Sequence, residues 1–288
     1  MSVLTSVITL THNKLEVTRR CLTSWLQTDY RPWEIVVVDN GSTDGTGEWL
    51  EGFRRTAGDA GVPVQVIRND GNIGCSTARN QGMAAASGQH LVFVDNDVAL
   101  RSRGWLTRLG AALDGAPRRA VAGPKLVYPY PPHDIQCAGA AVSRSGRVQF
   151  MGRGESREDP RFNRFRDVQC LISACFMFKR SVAEEIGGLD EAFNPVEYED
   201  LDFCYRARSR GYGVVYEPSV EMYHFESVTT AGTATLPNTY LIIKHGLLFK
   251  ARWRHMFEQE DGPPDEATKW RRIQARPFQA IGELPVLA

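Results

Sequence analysis

The sequence predicts an α/β fold: a Rossmann-like, mostly parallel sheet flanked by helices, followed by a C-terminal helical extension. Three observations carry that prediction. Strand-like and helix-period segments alternate up to about residue 115, the rhythm of a parallel sheet with helices on its faces. The apolar runs "VITL", "IVVV" and "LVFV" are continuous, as in strands buried on both sides. Polar, glycine-containing turns bound them.

Residues 3–10 and 33–38 read as the first two strands, with Leu15, Thr18, Leu22, Trp25 and Leu26 at helical spacing between them. "DNGSTDGT" (39–46) is a turn and helix opening, with Ser42, Thr43 and Asp44 as N-cap candidates. Val64 to Ile67 is a third strand, "CSTARNQGMAAASG" a helix ending at Gly88, and 91–94 the next strand. The rhythm then breaks. "VYPYPPHD" (127–134) is a Pro-rich turn, and 152–167 is a charged loop, solvated or lid-like. Order resumes with 170–180, then a helix, a Gly turn and a strand over 200–218, and one long helix over 238–257. The C-terminal tail has no clear period.

The chain has 288 residues with 34 Lys+Arg against 34 Asp+Glu, which argues against a general nucleic-acid grip. Its six cysteines include no C-x-x-C pair, so reduced thiols in a cytoplasmic protein are expected. The N-terminus reads as a core strand without a leader, and no apolar stretch approaches the roughly 20 residues of a membrane span.

Three acidic features fall near expected strand ends, where parallel sheets bind ligands: Asp39, the pair Asp95/Asp97, and Glu199/Asp200. Side chains two apart in an extended segment face one way, so Asp95 and Asp97 repel unless a hard divalent ion sits between them. A capping turn also contains such pairs. Glu199, Asp200 and Asp202 crowd a helix start whose later turn carries Arg206, Arg208 and Arg210, which suits the macrodipole alone. Asp200, near an apolar strand and a second acid, has the setting of a carboxylate raised towards a general base's range. His224 is expected after a short turn from the strand Val214–Tyr216, and a lone histidine is more often packed than a ligand.

Taken in order, "VITLTHN", "EIVVVDNGSTDGT", "NDGNIGCSTARN", "LVFVDNDV", "SACFMFKRS", "EYEDLDFCYRARSRGYGVVYEP" and "VEMYH" resemble the inverting glycosyltransferases of family two, which have the GT-A fold. The resemblance covers roughly residues 3–225. It implies a metal-dependent inverting transfer from a nucleoside-diphosphate sugar. Asp39 resembles the base-recognising aspartate, and Thr11, Asn13, Asn72, Gly74, Arg79, Asp95 and Asn96 fall on nucleotide-sugar-binding positions. Asp97 and His224 match the metal ligands for Mn²⁺ or Mg²⁺, Asp200 the catalytic base, and Glu199 an acceptor-side acid. Asn96, the middle of D-x-D, is expected to point away, and His12 stands where the family commonly has a tyrosine. A faint "IQCAGA…GRGE" likeness to rhamnosyltransferase-type members favours a UDP- or dTDP-sugar.

The resemblance also implies a catalytic domain over 1–230, with a nucleotide-binding half (1–115) and an acceptor-binding half (116–230), and an extension over 231–288. The acceptor is left open among a saccharide, a lipid-linked saccharide, a protein and a natural-product aglycone. In the last helix, Leu241, Leu248 and Phe249 alternate with Lys244, Lys250, Arg252 and Arg254, as in an interfacial membrane helix. Packing on the catalytic domain or a homodimer contact explains the same pattern. The rival functions are a sugar-phosphate nucleotidyltransferase, which would need a glycine-rich first loop that "TLTHNKLEV" lacks, and a non-catalytic nucleotide-sugar binding module, which has no need of all four aspartates.

Overall fold

The alternation expected for the first third of the chain is present in the computed structural model, which describes residues 3–226, 238–274 and 276–288. It runs β1 (Thr5–Thr11), α1 (Leu15–Trp25), β2 (Trp33–Asp39), α2 (Thr46–Asp59), β3 (Val64–Arg68), α3 (Cys75–Ala85) and β4 (His90–Val94). Next come β5 (Val98–Leu100), α4 (Trp105–Asp114), β6 (Arg119–Val127), β7 (Ile135–Cys137), β8 (Ala140–Val142), β9 (Val148–Phe150) and β10 (Arg166–Asp167). The chain ends with β11 (Cys175–Lys179), α5 (Arg180–Ile186), α6 (Glu199–Ser209), β12 (Gly213–His224) and α7 (Asn238–Phe257), followed by a tail without long elements.

The main sheet has the order β10-β12-β6-β11-β4-β1-β2-β3, with β5 on β12 and β7 on β6. Strands β4, β1, β2 and β3 are mutually parallel, whereas β11 is antiparallel to both β4 and β6. The chain steps outward from β1 to β3 and then returns to the other side of β1 as β4. The crevice between the carboxyl ends of β1 and β4 is therefore the switch point at which such sheets bind ligands. Successive residues feed opposite faces: Val7, Ile35, Val37 and Val92 enter one core and Ile8, Val36 and Phe93 the other, the reason the runs are continuously apolar.

Four local expectations need correction. The helix over 75–88 stops at Ala85, because Ala86 is already extended and Gly88 N–H is taken by Ser6 Oγ. The second helix begins after Gly45, with Asp44 bonding Thr46 N and Leu15 N, so of the three N-cap candidates only Asp44 serves the helix start. The stretch 152–167 is tied down: Arg153 holds Glu226 at 2.7 Å, Lys125 Nζ donates to Arg157 O, and residues 166–167 form β10. Finally, His224 does not follow a turn after a short strand. It ends one 12-residue strand, β12, which absorbs Pro218 in a register shift between Glu217 and Glu221, where a proline without an N–H is tolerated.

The helix α7 packs on the hydrophobic core through Phe249, Trp253 and Phe257. Asp202, fully buried, accepts from Trp253 Nε1 (2.9 Å), Arg252 Nη1 (2.7 Å) and Arg206 Nε (2.7 Å), which locks α7 to α6. Leu241 is buried as well, so the apolar residues expected to meet a membrane are largely spent on docking; Tyr240, Ile242, Ile243 and Leu247 are the exposed ones. All six cysteines are free. Among the described residues no helix is long and apolar enough to cross a membrane.

Candidate active site

The site grows from the ends of β1, β2 and β4. Asp39 closes β2 with no exposure; its Oδ1 accepts Ser42 N at 2.9 Å, and its Oδ2 is buried without a hydrogen bond, 3.8 Å from Arg68 Nε. That leaves a free acceptor at the strand tip. Asn13 clamps the facing loop, accepting Thr43 N at 2.8 Å while its own N–H donates to Ser42 Oγ. The Thr11 hydroxyl is turned inward to Thr18 at 3.2 Å. Asn72 Oδ1 accepts from Asn40 Nδ2 (2.9 Å) and Gly74 N (3.0 Å). Gly74 has φ +90°, and a Cβ there would lie 2.5 Å from Asn194 Oδ1, so only glycine brings this loop against the one that leads into α6.

Asp95 and Asp97 do not sit in an extended segment. They occupy a turn after β4, closed by Val98 N donating to Asp95 O at 3.0 Å. Both still reach one place, since atoms of Asp95, Asp97 and His224 lie within 4.8 Å of one another. Asn96 between them points away, as expected, donating to Thr18 Oγ1 at 2.8 Å. The strand register places the histidine: His224 pairs with Val98, and Phe225 N donates to Asp97 O at 3.0 Å. His224 Nε2 then lies 3.2 Å from Asp97 Oδ1. Burial disfavours its charged form, but Asp97, its hydrogen bond and Asp95 outweigh that and raise the His224 pKa. Two carboxylates and an imidazole facing one point fit a divalent ion, and the nitrogen ligand suits Mn²⁺ better than Mg²⁺.

A second acidic group opens α6. Consecutive left-handed residues, Glu197 (φ 87°) and Tyr198 (φ 73°), turn the chain so that Glu199 and Asp200 occupy the first helical turn. Asp200 is held by backbone donors, Oδ2 accepting Ser173 N (2.9 Å) and Oδ1 accepting Leu201 N (2.7 Å). Burial raises its pKa against the pull of those donors and of Arg79. Glu199 does not line an open acceptor face. Its side chain is 4% exposed, Oε1 accepts from Arg79 Nη1 at 3.2 Å and from Cys75 Sγ at 3.5 Å, and Oε2 has no partner. Burial first, and then Asp200, push Glu199 up to about 8.

Arg79 joins the two groups. Its guanidinium, 4% exposed, donates to Asp95 Oδ1 at 2.5 Å, to Glu199, and to Ser173 Oγ at 2.6 Å. One cation among Asp95, Glu199 and Asp200 leaves an excess of negative charge. Burial and Asp97 raise Asp95 against the pull of Arg79, as a site awaiting a further cation should.

Sequence reasoning missed Ser173, Cys75 and Gln136. Ser173 and Cys75 lie inside segments that carry the family resemblance, which gives neither of them a role. Gln136, whose Oε1 is 2.7 Å from His224 Nδ1, lies in the "IQCAGA" stretch, which reads only as a faint likeness bearing on the donor and gives it no role.

Residues 6–187 match the family model described as Glycosyl transferase family 2. The chain is 30% identical over 260 residues to protein y4gI of Sinorhizobium fredii, covering 87% of this chain and 28% of that one. It is 28% identical over 217 residues to the glycosyltransferase AglE of Haloferax volcanii, covering 75% of this chain and 64% of that one. The chain thus spans less than two thirds of the length of either relative. In fold it is similar to a mannosyltransferase of Pyrobaculum calidifontis solved with GDP-Man and Mn²⁺, at TM-score 0.59 and 18% identity, covering 90% of this chain and 72% of the other.

Proposed function

The chain belongs to glycosyl transferase family 2, and from that premise we propose that it is a metal-dependent, inverting glycosyltransferase. It moves a sugar from a UDP- or dTDP-linked donor to an acceptor nucleophile, with Asp200 as general base. The observation that carries this reading is an Asp-Asp-His cluster joined through the single guanidinium of Arg79 to Glu199, next to the backbone-anchored carboxylate of Asp200.

Each residue has a task in this reading. Asp39 Oδ2, buried and unbonded, accepts the imide N–H of a pyrimidine base. Asn13, Asn72 and Gly74 shape the loops around the nucleotide, Thr11 contributes through its backbone, and Asp95 faces the ribose. Asp97 and His224 would hold Mn²⁺ or Mg²⁺, which when bound supplies Lewis-acid stabilisation of the departing diphosphate. Asp200 takes the proton of the acceptor hydroxyl as the new glycosidic bond forms. The N–H groups of Ser173 and Leu201 hold its carboxylate still for that transfer. One base with no protein nucleophile gives inversion.

Residues 1–115 then form the nucleotide-binding half and 116–230 the acceptor half, with 231–288 as an extension whose opening boundary falls among 227–237, outside the described residues. Exposed Tyr240, Ile243 and Leu247 on α7 support a lipid-linked acceptor or a peripheral membrane contact.

A thermal-shift panel of nucleotide sugars with Mn²⁺ tests the donor assignment: a ligand at 100 times its Kd adds about 2.7 kcal/mol of stability, and the cognate donor alone should do so. The product's anomeric configuration, read by NMR, should be the inverse of the donor's. Stabilisation by a nucleoside triphosphate, with pyrophosphate released, would establish a nucleotidyltransferase instead.

A further inference from the structure

Gln136 occupies an unusual place in the sheet. In the β6–β7 ladder Leu126 pairs with Cys137 and Val127 with Ile135, so Gln136 is the extra residue of a bulge. Bulges beside functional sites re-aim a side chain, and this one sends the Gln136 amide to His224. The loop after β9 braces the bulge on both sides: Gly154 N donates to Ile135 O at 2.7 Å, and Ala138 N to Met151 O at 2.9 Å. Gln136 is 1% exposed, with Oε1 2.7 Å from His224 Nδ1 and Nε2 lacking any partner among the described residues. Leaving a buried amide N–H unpaired forfeits its hydrogen bond to water without a replacement. The contact with the histidine is kept at that cost.

We infer that Gln136 is a positioning residue for the metal site. By accepting the Nδ1–H of His224 through Oε1, it holds the proton on Nδ1 and leaves Nε2 as the nitrogen that would face an ion held together with Asp97. Ring nitrogens that ligate metals depend on such a partner at the other nitrogen, and its loss typically weakens metal affinity 10–100-fold. Without it the ring is free to take the opposite tautomer, in which Nε2–H donates to Asp97 Oδ1 only 3.2 Å away and no lone pair is left for an ion. The register of β5 on β12 brings His224 to Asp97; the bulge in β7 decides which nitrogen is free.

This inference rests on His224 as a metal ligand, and the experiment separates the two. Binding of Mn²⁺ alone is measured by the EPR signal of the free aquo ion for the wild type, H224A, Q136L and Q136E. H224A and Q136L should each weaken binding, Q136L by 10–100-fold, while Q136E, whose carboxylate accepts from Nδ1–H but has no amide N–H to donate, should bind at least as tightly as the wild type. A mere packing role would not separate Q136L from Q136E when both variants stay folded by circular dichroism. If H224A weakens binding but Q136L does not, or if Q136E falls with Q136L, the role assigned to Gln136 is overturned. If H224A binds Mn²⁺ like the wild type, His224 is not a ligand and both assignments fall.

Discussion

The two acidic groups that meet at Arg79 are built in opposite ways. Asp95, Asp97 and His224 come from a turn and a strand end, and Asp95 is 34% exposed; among the described residues no backbone N–H donates to any of these side chains. Glu199 and Asp200 come from the first turn of a helix, where backbone N–H groups take Asp200 and one guanidinium takes Glu199. The first group has its charge left open to an outside cation. The second has its charge managed internally, by hydrogen bonds and by a raised affinity for protons. In the proposed function, that difference suits the first group to binding a charge and the second to moving a proton.

Removing the proton acceptor tests that division most severely. Asp200→Asn should lower turnover by about 10²–10⁴-fold, the usual worth of a general base, while donor-induced thermal stabilisation is unchanged; turnover at the wild-type rate would refute the role. Next in size is the metal arm. Asp97→Asn should cost several kcal/mol of transition-state stabilisation, and a chelator should silence the wild type until Mn²⁺ is restored. Chelator-resistant turnover would break the comparison.

The link itself is tested by stability. Arg79→Met strands buried carboxylates, which should destabilise the fold by about 3–5 kcal/mol in denaturant titration; an unchanged midpoint would mean that the two groups are independent. The last test concerns Glu199, whose effect is the smallest when read over one pH unit. Its folded value of about 8 lies above its ordinary 4.5, so the folded state holds the extra proton between those limits. The contribution of Glu199 is therefore full below about pH 4.5 and is lost as pH rises to about 8, with a slope of at most about 1.4 kcal/mol per pH unit. Glu199→Gln should flatten that decline; an unaltered pH dependence would show that another group holds the proton.

Much of this was legible in the residues. Continuous apolar runs marked β1, β2 and β4 because each is buried on both faces, and Asp39, Asp95, Asp97 and Asp200 stood out as acids against apolar segments. His224 was harder. Its strand contains Pro218 and a register shift, which made the chain look as though it turned before "EMYH". The end of α3 was misplaced because Gly88 resembles a C-cap, while its real constraint is the approach to Ser6. Glu199 read as acceptor-side because spacing along a helix does not reveal that Arg79, 120 residues away, fills the space in front of it.

By itself the sequence determined the alternating α/β plan and the acids at the strand tips, since burial of apolar runs and the chemistry of short turns are local properties. Tertiary structure alone decided the partnerships: His224 with Asp97 through the register of β5 on β12, Arg79 between two distant carboxylates, and Gln136 behind the histidine. The physical reason is that each partnership depends on strand pairing and burial between segments far apart in the chain, and a buried charge or ring nitrogen acquires its character only from what is packed against it.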